Sequence, residues 1–326
     1  MSQVIIGVDL GGTNVKTAVA SRDGQLLSKD SRPTHAEGGP DVVMDAMQES
    51  ITAALKGAGL ASKDVLAAGI GAPGPMNWQT GVVYSPPNLP GWHNVPLAEL
   101  MQKRLGYPCY VDNDANVACY GEYWSGAGRG ADTMCLLTLG TGVGGGIVVF
   151  HKLLRGIDGT AAEIGHLKVM RDGRLCGCGS KGCLEAYASV TGMVHTAIEG
   201  IESGKKTVLT EWCGGDLHKI TGKMVSDGVA QGDEFSKWVM NETGVWIGLG
   251  ISSLINLLNP EKVVLCGGMI SAGEVLFKPI RDTAKANSFE VPGKRAEIVS
   301  AGLGLDSGVI GAAGCALARY EEDHHK

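Results

Sequence analysis

The stretch VIIGVDLGGTNVKTAVASRDGQLLS, residues 4–28, decides the reading of this chain. An apolar run from Val4 to Val8 ends at Asp9, turns at Gly11-Gly12-Thr13, resumes as a second strand, turns again at Arg22-Asp23-Gly24 and enters a third strand. That pattern is an antiparallel meander. Moving the sequence along by 129 residues lays VDLGGTNVKTAVA, residues 8–20, on LTLGTGVGGGIVV, residues 137–149, with Leu10 on Leu139 and Gly11 on Gly140. The chain therefore reads as internally duplicated: two related α/β halves, each opening with a meander and continuing in alternating helices and strands. Asp9 of the first half falls on Thr138 of the second, so only one half keeps the carboxylate.

Outward from these repeats, Pro40 to Ala58 has helical spacing and Val65 to Ile70 is strand-like. Cys109 to Val111 is a strand running into Asp112-Asn-Asp-Ala-Asn and a helix. Glu234 to Leu258 is a long helical pattern stopped by Asn259-Pro260, and Lys262 to Leu265 is a buried strand opening onto Gly267-Gly268. The repeat puts the domain boundary near residue 115, giving domains 1–115 and 116–305, with a last helix at about 306–322 returning to the first.

A length of 326 residues suits two domains. Lys and Arg total 28 against 34 Asp and Glu, a net charge of −6, which argues against a basic face for nucleic acid or anionic lipid. Gly supplies 50 residues without a collagen-like period, so many tight turns and close backbone approaches are expected. Val4 to Val8 is too short for a secretory signal, and the two long uncharged stretches, 134–150 and 243–260, are broken by glycines or polar residues, so neither reads as a membrane span. Nine cysteines, three of them clustered, do not form a disulfide framework; a reducing cytoplasm is expected.

Asp9, followed by Gly11, Gly12, Thr13 and Asn14, sets a carboxylate at a strand end before bare backbone N–H groups, the arrangement that phosphate and a divalent metal need. An ordinary glycine hairpin is the plainer reading, and the second loop, Gly140-Thr141-Gly142-Val143-Gly144-Gly145-Gly146, weighs against it. Both G-x-G-x-x-G matches, at Gly140 and Gly69, fail as dinucleotide fingerprints, because one continues into a strand and the other into Pro75. His166, Cys176, Cys178 and Cys183 offer four N/S ligands for a closed, structural zinc site. Glu163, one turn before His166, and Glu185, just after Cys183, would stand beside that site either as sugar-binding carboxylates or as solvated helix-start acids. Asn113 and Asp114 read either as helix caps or, for Asp114, as a general base.

Together, Asp9-Leu-Gly-Gly-Thr, Asn113-Asp114, LGTGVGGG at 139–146, EIGH at 163–166 and CGCGSKGCLE at 176–185 resemble the ROK family of sugar kinases and repressors, and within it the bacterial glucokinases. The resemblance spans nearly the whole chain, and E-x-G-H followed by C-x-C-G-x-x-G-C-x-E is highly specific to that family. It implies the two-domain, actin-like (ribonuclease H-like) sugar-kinase fold and ATP-dependent phosphorylation of the 6-hydroxyl of glucose, a glycolytic reaction. Asp114 is then the catalytic base; Asn113, Glu163, His166 and Glu185 hold the hexose, with Gly71 and Gly74 lining it. Gly11, Gly12, Thr13, Asn14, Thr141 and Gly142 fall on the ATP phosphate loops, Gly267 and Gly268 on the adenosine motif, and Asp9 serves Mg2+. Position 14 departs from the family pattern, being Asn where many members carry Lys. A homo-oligomer, dimer or tetramer, is implied as well. N-acetylglucosamine, N-acetylmannosamine, fructose or allose remain alternative substrates, and a non-catalytic sugar sensor is the alternative activity. A repressor of this fold would need an N-terminal helix-turn-helix, for which a meander starting at Val4 leaves no room.

Overall fold

Strands form where the sequence promises near-continuous apolar runs, and the first of them lies at the centre of a sheet. The computed structural model describes residues 3–86 and 88–324. Its chain divides into two units: Met1–Met134 with Gly146–Ala162 and Ala301–Lys326, and Cys135–Gly145 with Glu163–Ser300.

In the first unit, β1 (Val4–Leu10), β2 (Asn14–Ala20), β3 (Leu26–Pro33), β4 (Val65–Ala72) and β8 (Cys109–Asn113) form a sheet of order β3-β2-β1-β4-β8. The meander pairs antiparallel, while β1, β4 and β8 run parallel. Three two-residue strands, β5 (Met76–Asn77), β6 (Val82–Val83) and β7 (Val95–Pro96), make a small separate sheet. Side chains alternate across β1 as a strand requires. Val4, Ile6, Val8 and Leu10 pack in one core with Met44, Met47 and Ile51 of α1 (Gly39–Gly57) and Met101 of α2 (Leu97–Leu105). Ile5 faces the other way, towards Ala313, Ala316 and Leu317 of the C-terminal helix Ser307–His324. That helix lies unusually close to the sheet: a Cβ at Gly7 would stand 1.8 Å from the Val309 carbonyl oxygen, and one at Gly69 1.8 Å from that of Ala312. Helix α3 (Asp114–Ser125) packs beside it on the same face.

The second five-stranded sheet has the order β11-β10-β9-β12-β13, built from β9 (Met134–Leu139), β10 (Val143–Val149), β11 (Lys152–Leu153), β12 (Lys262–Cys266) and β13 (Glu297–Ser300). Position for position this repeats the first sheet's order, and the ends of β9 and β10 at Leu139, Val143 and Val149 are the equivalents of Leu10, Asn14 and Ala20 at the 129-residue offset. The duplicated α/β fold is therefore visible in both sequence and topology. The second unit's scaffold is the long helix Glu234–Leu258, ended by Asn259 in the left-handed conformation (φ 51°), with the helix Glu274–Ala286 against it. Gly250 on the long helix leaves room for Leu184, whose Cδ2 would be 2.5 Å from a Cβ there, which seats the cysteine loop on the scaffold. Among the described residues no helix is long and apolar enough to cross a membrane, and all nine cysteines are free thiols.

Candidate active site

Parallel strands present ligands at their carboxyl ends, and in the first sheet those ends carry the residues singled out by sequence. Asp9 is in register with Gly71, Gly71 with Asp112, and Ala72 with Asn113. The Asp9 carboxylate is half-buried, and burial raises its pKa although Lys16, its cross-strand partner, stands 4.0 Å away and acts in the opposite direction. The glycine turn after it is closed by the Gly11 N–H donating to the Asn14 carbonyl (3.0 Å). Buried Thr34 braces the turn, its hydroxyl donating to the Gly11 carbonyl at 2.6 Å and its N–H to that of Thr13 at 2.9 Å. Thr13 and Asn14 are exposed beyond it. The two glycines expected beside the hexose have packing reasons of their own. A Cβ at Gly71 would stand 2.5 Å from Val117 Cγ2, and Gly74 turns the chain with φ 79°.

Asn113, not Asp114, caps α3. Its Oδ1 accepts from the N–H groups of Ala115 (2.9 Å) and Asn116 (3.3 Å), leaving Nδ2 as a donor. Asp114 is the first residue of the helix, with an exposed side chain whose Oδ1 accepts from the Ala115 N–H at 2.8 Å.

The second glycine loop is held more tightly. Thr138, in the place of Asp9, uses its hydroxyl to accept from the Gly144 N–H (3.1 Å), and Glu185 Oε2 accepts from the Val143 N–H (2.9 Å). The start of the helix Val190–Glu202 takes the loop carbonyls, the Val190 N–H donating to Gly140 O (2.8 Å) and the Thr191 hydroxyl to Thr141 O (3.0 Å). At the end of β12, Gly267 (φ 101°) approaches the backbone of β9, since a Cβ there would be 2.3 Å from the Leu139 carbonyl oxygen, while Gly268 faces open space.

Glu163 is exposed at the head of a single 3-10 turn, Ile164–His166, and Gly165 of that turn lies against β10, where a Cβ would stand 2.1 Å from the Val143 carbonyl oxygen. One donor atom from each of His166, Cys176, Cys178 and Cys183 lies within 4.8 Å of the others. His166 Nδ1 is 3.8 Å from Cys176 Sγ, and Cys178 Sγ is 3.7 Å from Cys183 Sγ. Tetrahedral bonds of about 2.3 Å to sulfur give edges of ~3.8 Å, so the set fits a metal ion. The knuckle is closed by the Cys176 N–H donating to Ser180 O (2.8 Å) and the Gly179 N–H to Cys176 O (2.9 Å), with Gly179 at φ 83°. The Ser180 amide, the main influence, lowers the Cys178 pKa, whereas burial raises that of Cys176. Glu185 joins this cluster to the glycine loop, because its Oε1 lies 3.4 Å from Cys176 Sγ while Oε2 holds Val143.

Two residues near these clusters carry no motif signal. The Lys168 ammonium touches Cys183 Sγ at 2.9 Å, which would offset the excess negative charge of three thiolates; its only trace in sequence is its place two residues after His166. Glu122 is fully buried on α3, and its carboxylate accepts from the N–H groups of Ala127, Gly302 and Leu303, each at 2.9 Å, and from the Ser307 hydroxyl at 2.7 Å. It anchors the start of the C-terminal helix, where a Cβ at Gly308 would lie 3.2 Å from the Asp9 carboxyl carbon.

Two sheets of the same strand order, with glycine loops at their strand ends and a carboxylate at one of them, make this a duplicated α/β protein of the actin-like class. Residues 5–319 match the ROK family, and the chain belongs to it. It is 39% identical over 308 residues to a glucokinase of Halalkalibacterium halodurans, covering 94% of this chain and 92% of the relative. A glucokinase of Thermotoga maritima is 38% identical over 311 residues, with 95% and 96% covered. Among solved structures, a ROK family glucokinase from Streptomyces griseus in complex with glucose and AMPPNP superposes with a TM-score of 0.77 at 36% identity, covering 96% of this chain and 99% of that one.

Proposed function

We infer that this protein transfers the γ-phosphoryl group of ATP to the 6-hydroxyl of glucose. The observation that carries the reading is Asp114, an exposed carboxylate at the carboxyl edge of parallel strands whose helix is already capped by Asn113. The glucokinase relatives and the solved relative holding glucose with AMPPNP support hexose and ATP as the two substrates. Asp114 accepts the hydroxyl proton as the oxygen attacks in line. Asn113 Nδ2, Glu163 and Glu185 orient the hexose hydroxyls, with Gly71 and Gly74 beside them; both oxygens of Glu185 retain lone pairs beyond the contacts they already make. His166 gives Nδ1 to the metal set, leaving Nε2 for a sugar hydroxyl. Backbone N–H groups of Gly11, Gly12, Thr13, Asn14, Thr141 and Gly142 bind phosphate oxygens, and Gly267 and Gly268 admit the adenosine. Asp9, a half-buried carboxylate, suits Mg2+, which when bound neutralises phosphate charge. The His166-Cys176-Cys178-Cys183 set suits Zn2+; four protein ligands leave no open position, so its role is structural. Nine free thiols accord with a reducing cytoplasm.

A coupled ADP-release assay over glucose, N-acetylglucosamine, N-acetylmannosamine, fructose and allose tests the reading. The highest kcat/KM is expected on glucose. A higher value on another hexose reassigns the substrate, and no sugar-dependent ADP release on any of them refutes the kinase activity.

A further inference from the structure

Behind Asp114, on the first unit, lies a buried ion pair that no part of the proposed reaction uses. Arg155 Nε donates to Asp112 Oδ2 at 2.6 Å, with the two side chains only 15% and 8% exposed. The other carboxylate oxygen, Asp112 Oδ1, accepts from the Asn113 N–H (2.9 Å) and from Nδ2 of the buried Asn116 (3.1 Å). Asn113 and Asn116 lie on either side of Asp114, so one carboxylate grips the backbone before it and a side chain on the first turn after it. Arg155 decides which way that carboxylate faces, since its Nε holds Oδ2 and leaves Oδ1 for the helix start.

Arg155 is itself held. The loop that follows it closes through the Ala161 N–H donating to the Arg155 carbonyl (3.1 Å). Its guanidinium carbon lies 4.8 Å from the centre of the Trp78 ring, which Arg319 also approaches at 4.8 Å while donating to the Trp78 carbonyl at 3.1 Å. Gly159 of the loop seats against the same indole, where a Cβ would be 3.1 Å from Trp78 Cδ1. A buried ion pair contributes little net stability compared with a well-packed apolar pair, so stability alone does not account for it. Orientation does, because an error of about 1 Å in a reacting group costs up to ~10²-fold in rate.

We propose that Arg155 is a positioning residue for Asp114, acting through Asp112; the proposal rests on the reading of Asp114 as the base. The test is a double-mutant cycle between Arg155→Met and Asp114→Asn, with kcat and both KM values measured on folded protein. In the wild-type background Arg155→Met is expected to lower kcat at least about tenfold with the KM for ATP within about twofold. In the Asp114→Asn background, where the group to be positioned is gone, it is expected to change the residual kcat less than about twofold. Arg155→Lys, which keeps the charge and one donor, is expected to limit the loss to about threefold. Equal factors in both backgrounds, or a normal kcat with only a lower Tm, overturn the proposal. Should the Met variant not fold, Arg155→Lys in the two backgrounds provides the same comparison, with an expected loss of about threefold that is confined to the background retaining Asp114. A near-normal kcat for Asp114→Asn alone refutes the base assignment instead, so the two failures are told apart.

Discussion

Replacing Asp114 with Asn separates the proposed chemistry from helix stability, because the helix is capped by Asn113 and not by Asp114. Asn113 supplies the cap through Oδ1, so the substitution leaves both capping hydrogen bonds in place. What the helix loses is a negative charge in its first turn, worth about 0.3–1 kcal/mol at an exposed position. In a unit of this size a loss of 1 kcal/mol lowers Tm by roughly 2–4 °C. The amide cannot take a proton, and general-base catalysis is worth on the order of 10² to 10⁴ in rate, or about 2.7 to 5.4 kcal/mol. The catalytic loss thus exceeds the stability loss several-fold, and the two are read separately. Thermal unfolding should show a shift of a few degrees at most, calorimetric titration should still detect glucose, and coupled ADP release should fall at least about 10²-fold. A kcat within a few-fold of wild type in a well-folded variant refutes the reasoning. A large fall in Tm does so too, since it would mean that Asp114 bears structural weight which Asn113 does not relieve.

Elemental analysis of the purified protein should find about one zinc per chain, and chelation or Cys178→Ser should lower Tm and weaken hexose binding, since Glu185 touches both Cys176 and the Val143 amide; protein free of zinc as purified refutes the metal. Asp9→Asn should impair magnesium-dependent turnover far more than Thr138→Ala, whose hydroxyl only accepts from Gly144; the reverse order in kcat would show that the halves have been given the wrong roles. Glu122→Gln turns an NH2 group toward amide donors that now meet a carboxylate oxygen, leaving at least one buried donor unpaired at a cost of about 1–3 kcal/mol, which equilibrium denaturation would register; an unchanged midpoint refutes that account.

What was legible in the sequence is what periodicity and local chemistry encode. The duplication is written in the 129-residue offset because each glycine turn must follow a strand, and three of the four strand boundaries obey it to the residue, β9 alone starting one residue later than β1 would place it. The metal set is almost as local: within a glycine-rich loop the spacing of Cys176, Cys178 and Cys183 leaves few other geometries, and His166 stands only ten residues before the first of them. Contacts made across long stretches of sequence leave no such trace. Asp112 stands in the quoted run before Asn113, but nothing in that run marks it as more than a strand-end acid, because its partner Arg155 comes 43 residues later on a loop without a motif. Glu122 likewise looks like a solvent-facing acid on a helix until the chain returns at Gly302, 180 residues on, and brings it amide donors. The same division governs function. The residues expected to touch ligands could be named from local pattern, whereas those that hold them in place come from parts of the chain that only the fold brings together. Asp114 therefore stands out in the sequence, and the Arg155 whose orientation of Asp112 sets the start of its helix does not.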